Sequence, residues 1–119
     1  MRRVLVVEDM PTQRFLMAGL LSHCDCAVFS ASSGPEALTI ATQIGPDVAL
    51  LDLVMPEMDG YELARRLRAD AGQRAIKIVA ISAWDCDRQK LTEAGIDQYV
   101  RKPVMLAELK RVVGVDCHS

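Results

Sequence analysis

Short apolar runs alternate along the chain with longer segments in which apolar residues recur at helical spacing. The runs lie at residues 4–7, 27–31, 47–51, 76–81 and 97–101, and they have the length of buried strands. Runs that are apolar at consecutive positions are typical of parallel sheets, whose strands are covered on both faces. The pattern therefore predicts an α/β fold in which five strands of a parallel sheet alternate with helices.

Helix signals fall between these runs. Pro11 suits a first helical turn, and residues 33–36 (SGPE) and 59–62 (DGYE) have the spacing of capping boxes. A fourth helix is predicted from about Asp85 to Gly95, and Gly114 can end the last one. Helical spacing predicts apolar faces at Phe15, Leu16 and Leu20 in the first helix, Leu63 and Leu67 in the third, and Leu106, Leu109 and Val113 in the last.

Composition places the chain among ordinary globular proteins. Its 119 residues are half hydrophobic and a quarter charged, which predicts one domain spanning residues 1–119. The net charge of −2 comes without a basic stripe, which argues against direct nucleic-acid binding. The first residues, MRRVLVVEDM, contain too short an apolar run for a signal peptide or a membrane span, so we expect a cytoplasmic protein that is not membrane-bound.

The four cysteines are Cys24, Cys26, Cys86 and Cys117. In a reducing compartment we expect free thiols rather than a disulfide framework, and no two of them form a C-x-x-C motif. An alternative is a zinc site or a disulfide between residues 23–26 (HCDC) and 117–118 (CH), since both segments would lie at the lower end of the fold.

Polar residues follow four of the five predicted strands. Glu8 and Asp9 follow the first, Asp52 the third, Ser82 the fourth and Lys102 the fifth. Taken singly, each has an ordinary structural interpretation as a helix cap, a turn former or a surface charge. The carboxyl ends of parallel strands meet at one edge, however, and ligands bind there in open α/β sheets.

Three neighbouring carboxylates repel one another unless a cation or a lysine offsets their charge. Mg²⁺ uses carboxylates, waters and phosphate oxygens as ligands. A carboxylate nucleophile, a metal ion, a lysine and a hydroxyl are sufficient for phosphoryl transfer, which depends mainly on positioning and charge neutralisation. Phosphoryl transfer at this edge is therefore the leading chemical hypothesis.

Four motifs in register, VLVVEDMP, LLDLVMPEMDG, VAISAW and YVRKP, resemble those of the receiver domains of response regulators and hybrid histidine kinases. The resemblance covers essentially the whole chain. It implies a flavodoxin-like doubly wound sheet of order 2-1-3-4-5 with five helices.

The resemblance also implies roles at the site. Asp52 corresponds to the phosphoacceptor and Lys102 to the lysine that contacts the phosphoryl oxygens. Mg²⁺ would be held by Asp9, Asp52 and the backbone carbonyl of Val54, with Glu8 acting more often through water. A cis peptide is expected between Lys102 and Pro103.

Other residues correspond to switching and partner binding. Ser82 resembles the switch hydroxyl, with a serine where threonine is more common, and Tyr99 resembles the aromatic residue that follows it inward. Trp84, Val104 and Met105 are candidate partner contacts, because they lie near the surface that receivers use for output and aromatic residues are favoured at binding hot spots.

A receiver is a signalling switch that catalyses its own phosphorylation and slow dephosphorylation. The implied partners are a histidine kinase or histidine phosphotransfer protein and an unidentified downstream protein, and the implied state is a monomer or weak dimer. Two alternatives stay open. A Mg²⁺-dependent phosphatase would commonly have a second aspartate where this chain has Val54, and a phosphorylation-independent scaffold would not need the full set of site residues. The sequence does not decide between a free-standing regulator and part of a larger protein.

Overall fold

The computed structural model of the protein describes residues 1–55, 59–72 and 74–114. In this part of the chain five strands alternate with five helices. The strands are β1 (Arg2–Val7), β2 (Cys26–Ala31), β3 (Val48–Asp52), β4 (Lys77–Ser82) and β5 (Gln98–Arg101). The helices are α1 (Pro11–Leu21), α2 (Gly34–Ile44), α3 (Gly60–Ala71), α4 (Arg88–Glu93) and α5 (Leu106–Val113). All five predicted strands are confirmed.

The strands form one parallel sheet of order β2-β1-β3-β4-β5. The predicted flavodoxin-like topology is therefore confirmed. The order reverses between β1 and β3, which are neighbours in the sheet although β2 lies between them in sequence. Val7 pairs with Leu51 in this register, so the residues that follow β1 emerge next to Asp52.

The two faces of the sheet are covered by different helices. On the α2/α3 face, buried side chains of the strands such as Leu5 and Leu51 pack against α2, α3 and α4. On the opposite, α1/α5 face, side chains such as Val6 and Leu50 pack against α1 and α5. Because successive residues of a strand point to opposite faces, the consecutive apolar runs supply both cores.

Side-chain caps fix the starts of α2, α3 and α4. Ser33 Oγ accepts a hydrogen bond from the Glu36 N–H at 3.3 Å, and Asp59 Oδ1 accepts one from the Glu62 N–H at 2.7 Å, as the two capping motifs predict. The fourth helix begins later than predicted, because Asp87 caps it. Among the described residues, no helix has both the length and the apolar character that crossing a membrane requires.

Gly60 allows α3 to begin directly beside the residue that ends β3. A Cβ atom at this position would lie 2.6 Å from the Leu53 Cα and 2.7 Å from the Asp52 carbonyl oxygen. The Gly60 N–H donates to the Leu53 carbonyl at 3.0 Å. A glycine is therefore needed for this close approach.

The apolar face of α1 differs from the predicted one. Phe15 is 78% exposed and Leu16 is 59% exposed, whereas Met17 and Leu21 are buried. Apolar residues occur on all sides of α1, so helical spacing alone does not select the face that packs on the sheet. The predicted face of α3 is correct, since Leu63 and Leu67 are buried, and in α5 Leu109 and Val113 are buried whereas Leu106 is only partly buried.

The cysteines only partly follow the expectation of free thiols. Cys26 and Cys86 are free, but Cys24 is disulfide-bonded, so the expectation is wrong for that residue. The prediction rested on the redox state of a compartment, whereas the geometry of the folded chain decides which sulfurs can meet. Cys117 and His118, which the zinc alternative requires, lie outside the described residues.

Candidate functional site

The carboxyl ends of β1 and β3 bring three carboxylates together. Glu8, Asp9 and Asp52 each offer an oxygen atom, and these atoms all lie within 4.8 Å of one another. We call these three residues the acidic cluster. Lys102, which follows β5, places its Nζ 3.1 Å from Glu8 Oε1 and 3.6 Å from Asp52 Oδ2. The structure therefore brings together the four charged residues that the sequence selected.

Glu8 is the buried member of the acidic cluster, with only 4% of its surface exposed. Burial, reinforced by the neighbouring Asp52 and opposed by Lys102, raises the pKa of Glu8 to about 8. Its Oε1 accepts a hydrogen bond from Lys102, while its Oε2 is buried with no hydrogen-bond partner. A buried carboxylate oxygen without a partner is costly, so a bound cation would relieve it.

The donor set of the acidic cluster fits a hard divalent cation. All three potential ligands are carboxylate oxygens, which suit Mg²⁺ and similar ions rather than the softer transition metals. Such an ion would give the unpartnered Oε2 of Glu8 a ligand contact. Its positive charge would also favour the ionised form of Glu8, whose pKa is raised without it. The residues present therefore fit the metal that the sequence predicts.

The Asp52 side chain is oriented by its surroundings. Its Oδ1 accepts a hydrogen bond from the Val54 N–H at 3.0 Å, and its Oδ2 faces the Lys102 ammonium. This arrangement places Val54, the predicted source of a backbone ligand, directly beside the acidic cluster. The peptide between Lys102 and Pro103 is cis, as the resemblance implies.

Sequence reasoning missed Gln13, which lies in the first turn of α1. Its Oε1 accepts a hydrogen bond from Lys102 Nζ at 2.5 Å. An uncharged amide belongs to none of the recognised motifs, so no spacing rule selects it. Its place four residues after Asp9, in a helix that begins at the site, is the signal that points to it.

The predicted switch residues Ser82 and Tyr99 both hydrogen-bond to the backbone of Trp84, Ser82 to its N–H and Tyr99 to its carbonyl. Ser82 is 5% exposed, and its Oγ accepts a hydrogen bond from the Trp84 N–H at 3.1 Å. The Tyr99 hydroxyl donates to the Trp84 carbonyl at 3.0 Å, and the Cys86 thiol donates to the same carbonyl at 3.7 Å. Burial raises the pKa of Cys86, which keeps the donated proton on sulfur. Cys86 was not predicted from the sequence.

A cavity of about 570 Å³ extends from the acidic cluster between α1 and the start of α5. We call it the α1/α5 cleft. Its walls are mostly apolar, and one end contains Glu8, Asp52 and Lys102. The apolar walls include Leu16, Met17, Leu20, Pro103 and Val104.

The three predicted partner contacts have different environments. Val104 is half-buried and lines the α1/α5 cleft. Met105 is 59% exposed, and Trp84 has 71% of its surface exposed although its backbone contacts the switch residues. The structure thus leaves apolar surface available beside the site.

Comparisons with known proteins agree with this geometry. A sequence model of the family described as "Response regulator receiver domain" matches residues 4–114. Protein PilH of Pseudomonas aeruginosa is 33% identical over 106 residues, which cover 87% of this chain and 88% of PilH. The Vibrio cholerae chemotaxis protein CheY4 superposes with a TM-score of 0.90 at 25% identity, covering 96% of this chain and 97% of CheY4.

A third similar structure contains a partner. It is the receiver domain of the Saccharomyces cerevisiae response regulator Ssk1, crystallised with the histidine phosphotransfer protein Ypd1. Its TM-score is 0.83 at 28% identity, and the match covers 93% of this chain and 86% of that one. Several other curated relatives are longer, and the chain spans between 7% and 42% of their lengths. On the family match and the shared fold, this chain belongs to the response regulator receiver domains of two-component signalling.

Proposed function

We propose that the protein is a phosphorylation-controlled switch in which Asp52 accepts a phosphoryl group with the help of Mg²⁺. The observation that carries the proposal is the contact of Asp52 with Glu8, Asp9 and Lys102 at one edge of the sheet. The acidic cluster and the Val54 carbonyl would hold the metal. Lys102 would bind phosphoryl oxygens, because its ammonium already lies 3.6 Å from Asp52 Oδ2.

The proposed reaction is a transfer between a nitrogen and an oxygen. A carboxylate oxygen of Asp52 attacks the phosphorus of a phosphohistidine, and a new P–O bond forms as the P–N bond breaks. The electron pair of the broken bond stays on the leaving imidazole nitrogen, so no redox partner is needed. When bound, Mg²⁺ would neutralise part of the charge on the phosphoryl oxygens.

The switch would be transmitted through the backbone of Trp84. Ser82 Oγ accepts a hydrogen bond from the Trp84 N–H, and its own proton would be donated to a phosphoryl group on Asp52. A movement of Ser82 toward that group would pull on the Trp84 backbone, whose carbonyl accepts the hydrogen bond from Tyr99. The exposed Trp84 indole would move with it, so the fluorescence of this single tryptophan should report phosphorylation.

A histidine kinase or histidine phosphotransfer protein is the proposed phosphodonor. The exposed Leu16 lines the α1/α5 cleft, which opens onto Asp52, and Phe15 is exposed next to it in α1. A helical donor that covered this apolar surface would hold its phosphohistidine near the acidic cluster. The co-crystal of the similar Ssk1 receiver with Ypd1 supports a donor of this class. A downstream protein would read the surface around Trp84 and Met105.

Incubation with acetyl phosphate tests the proposal and both alternatives. With Mg²⁺, we expect the intact mass to increase by one phosphoryl group, and the increase should disappear with a chelator or in Asp52→Ala. Rapid release of phosphate without a detectable adduct would instead favour the phosphatase alternative. No reaction in the wild-type protein, with the fold intact by circular dichroism, would favour the scaffold alternative. Either of these results would contradict the proposal.

A further inference from the structure

We propose that Gln13 is a positioning residue that holds the Lys102 ammonium in the site from α1. This inference rests on the proposed function, because it concerns how Lys102 is presented to a phosphoryl group on Asp52. It assigns a task to a neutral side chain that lies outside the acidic cluster and outside the recognised motifs. Gln13 does not react, and its effect passes through Lys102.

Lys102 lies close to three side-chain oxygen atoms. Its Nζ lies 2.5 Å from Gln13 Oε1, 3.1 Å from Glu8 Oε1 and 3.6 Å from Asp52 Oδ2. An ammonium group has three donors and no acceptor, so these three oxygens match its capacity. The two hydrogen bonds go to Glu8 and Gln13, while Asp52 lies farther away.

Two of these three oxygen atoms belong to the acidic cluster, and the third does not. Glu8 and Asp52 belong to the acidic cluster, so a cation in that cluster would compete with Lys102 for their charge. Gln13 is not part of the cluster and carries no charge. It can therefore continue to hold the ammonium when the carboxylates are engaged, and it adds no negative charge near an incoming phosphoryl group. A carboxylate at this position would repel that group.

Gln13 is itself held in place by the first turn of α1. Its Nε2 donates to the Met10 Sδ at 3.5 Å. The next residue, Arg14, donates through Nη1 to the Glu8 carbonyl at 2.8 Å, which ties this turn to the end of β1. Gln13 also lines the α1/α5 cleft and precedes the exposed Phe15 by two residues. A partner that covers the cleft would therefore contact the same helix that orients Lys102.

A double-mutant cycle separates positioning from a general structural role. Gln13→Met keeps the length and shape of the side chain but removes the acceptor, and Lys102→Ala removes the group that it holds. With Mg²⁺ and acetyl phosphate, Gln13→Met should lower kcat/KM about tenfold, or about 1.4 kcal/mol, mainly through a higher KM. The same substitution should have no further effect when Lys102 is already alanine. Equal losses in both backgrounds would overturn the proposal.

A metal-free measurement provides the second test. We expect the ¹⁵N NMR signal of the Lys102 ammonium to show slowed hydrogen exchange with water in the wild-type protein. Gln13→Glu retains an acceptor and should keep this protection, whereas Gln13→Met should lose it. Unchanged exchange in Gln13→Met would contradict the assignment. This test does not depend on phosphorylation, so failure of Asp52 to react would overturn the proposed function without hiding the outcome for Gln13.

Discussion

The two faces of the sheet differ in how completely they are packed. On the α2/α3 face, Leu63 of α3 is fully buried. Gly60 lets the start of this helix pack closely against the backbone at the end of β3. On the α1/α5 face, two large residues of α1 point to solvent and a cavity of about 570 Å³ lies beside the acidic cluster. Both faces cover the same strands, so the difference comes from the helices.

This difference separates stability from recognition. Dense packing contributes most where side chains are fully removed from water, which assigns stability to the buried side of each helix, that of α3 with Leu63 included. Exposed apolar surface beside a charged site is typical of a binding surface. We therefore expect substitutions on the α2/α3 face to change the free energy of unfolding, and substitutions on the exposed side of α1 to change partner reactions.

The largest expected effect compares the same substitution on the two faces. Leu63→Ala removes a fully buried side chain and should lower the free energy of unfolding by about 2–5 kcal/mol. Leu16→Ala, at a position 59% exposed, should lower it by about 0.5 kcal/mol or less. Urea denaturation of both variants measures the contrast. Similar losses would contradict the assignment of Leu16 to exposed surface that contributes little to stability.

Metal binding should depend on pH through Glu8, whose pKa is raised to about 8. Without metal, the raised pKa means that the contribution of Glu8 to stability declines as pH rises from about 4.5 to about 8, because the buried group must ionise. A cation must displace this proton, so the apparent Mg²⁺ affinity should increase by up to about tenfold per pH unit between about pH 6 and 8.

Calorimetric titration across this pH range, together with the number of protons released, checks the prediction. Glu8→Gln provides the control, since it removes the titrating group and should flatten the pH dependence. The same slope in the wild-type protein and in Glu8→Gln would assign the effect to another group.

A smaller effect is expected for phosphotransfer from a partner protein that docks on the exposed side of α1. Phe15→Ala should lower the rate of phosphotransfer from a phosphorylated histidine phosphotransfer protein by about tenfold, because a large apolar contact is lost. The reaction with acetyl phosphate, which needs no docking, should change by less than about twofold. Arg66→Ala, at an exposed position of α3, should leave both rates unchanged. Parallel loss in both reactions would mean that Phe15 supports the site itself.

The smallest effect concerns the helix caps. Asp59→Ala removes the side chain that caps α3 and should lower the free energy of unfolding by about 1 kcal/mol. Met10 precedes α1 without making a side-chain cap. Met10→Ala should therefore change the free energy of unfolding by about 0.5 kcal/mol or less. Thermal unfolding of the two variants measures the difference. Equal losses of stability would show that the Asp59 cap contributes no more to α3 than Met10 does to α1.

Much of the fold could be predicted because several local signals agreed. Consecutive apolar residues marked the strands, and the motifs at Ser33 and Asp59 marked two helix starts that the structure caps as expected. The meeting of Glu8, Asp9 and Asp52 followed from the rule that parallel strands end at one edge. These predictions succeeded because each depended on the backbone more than on individual side-chain directions.

Other features required three-dimensional information. The burial of Met17 in place of Leu16 could not be read from α1, which has apolar residues on all sides. The Gln13 contact with Lys102 joins residues 89 positions apart, and a neutral amide gives no charge or motif signal. The start of α4 was placed too early because Asp85 and Asp87 are both plausible caps, and only Asp87 makes the bond.

The most direct test of the central claim is to locate the phosphoryl group after treatment with acetyl phosphate and Mg²⁺. Reduction with borohydride converts an aspartyl phosphate to homoserine, which peptide mass spectrometry can assign to one residue. We expect homoserine at position 52 and none at positions 9 or 59. Modification of another residue, or an unmodified Asp52 in a protein that has taken up phosphate, would contradict the claim that the edge formed by Glu8, Asp9, Asp52 and Lys102 is the reactive site.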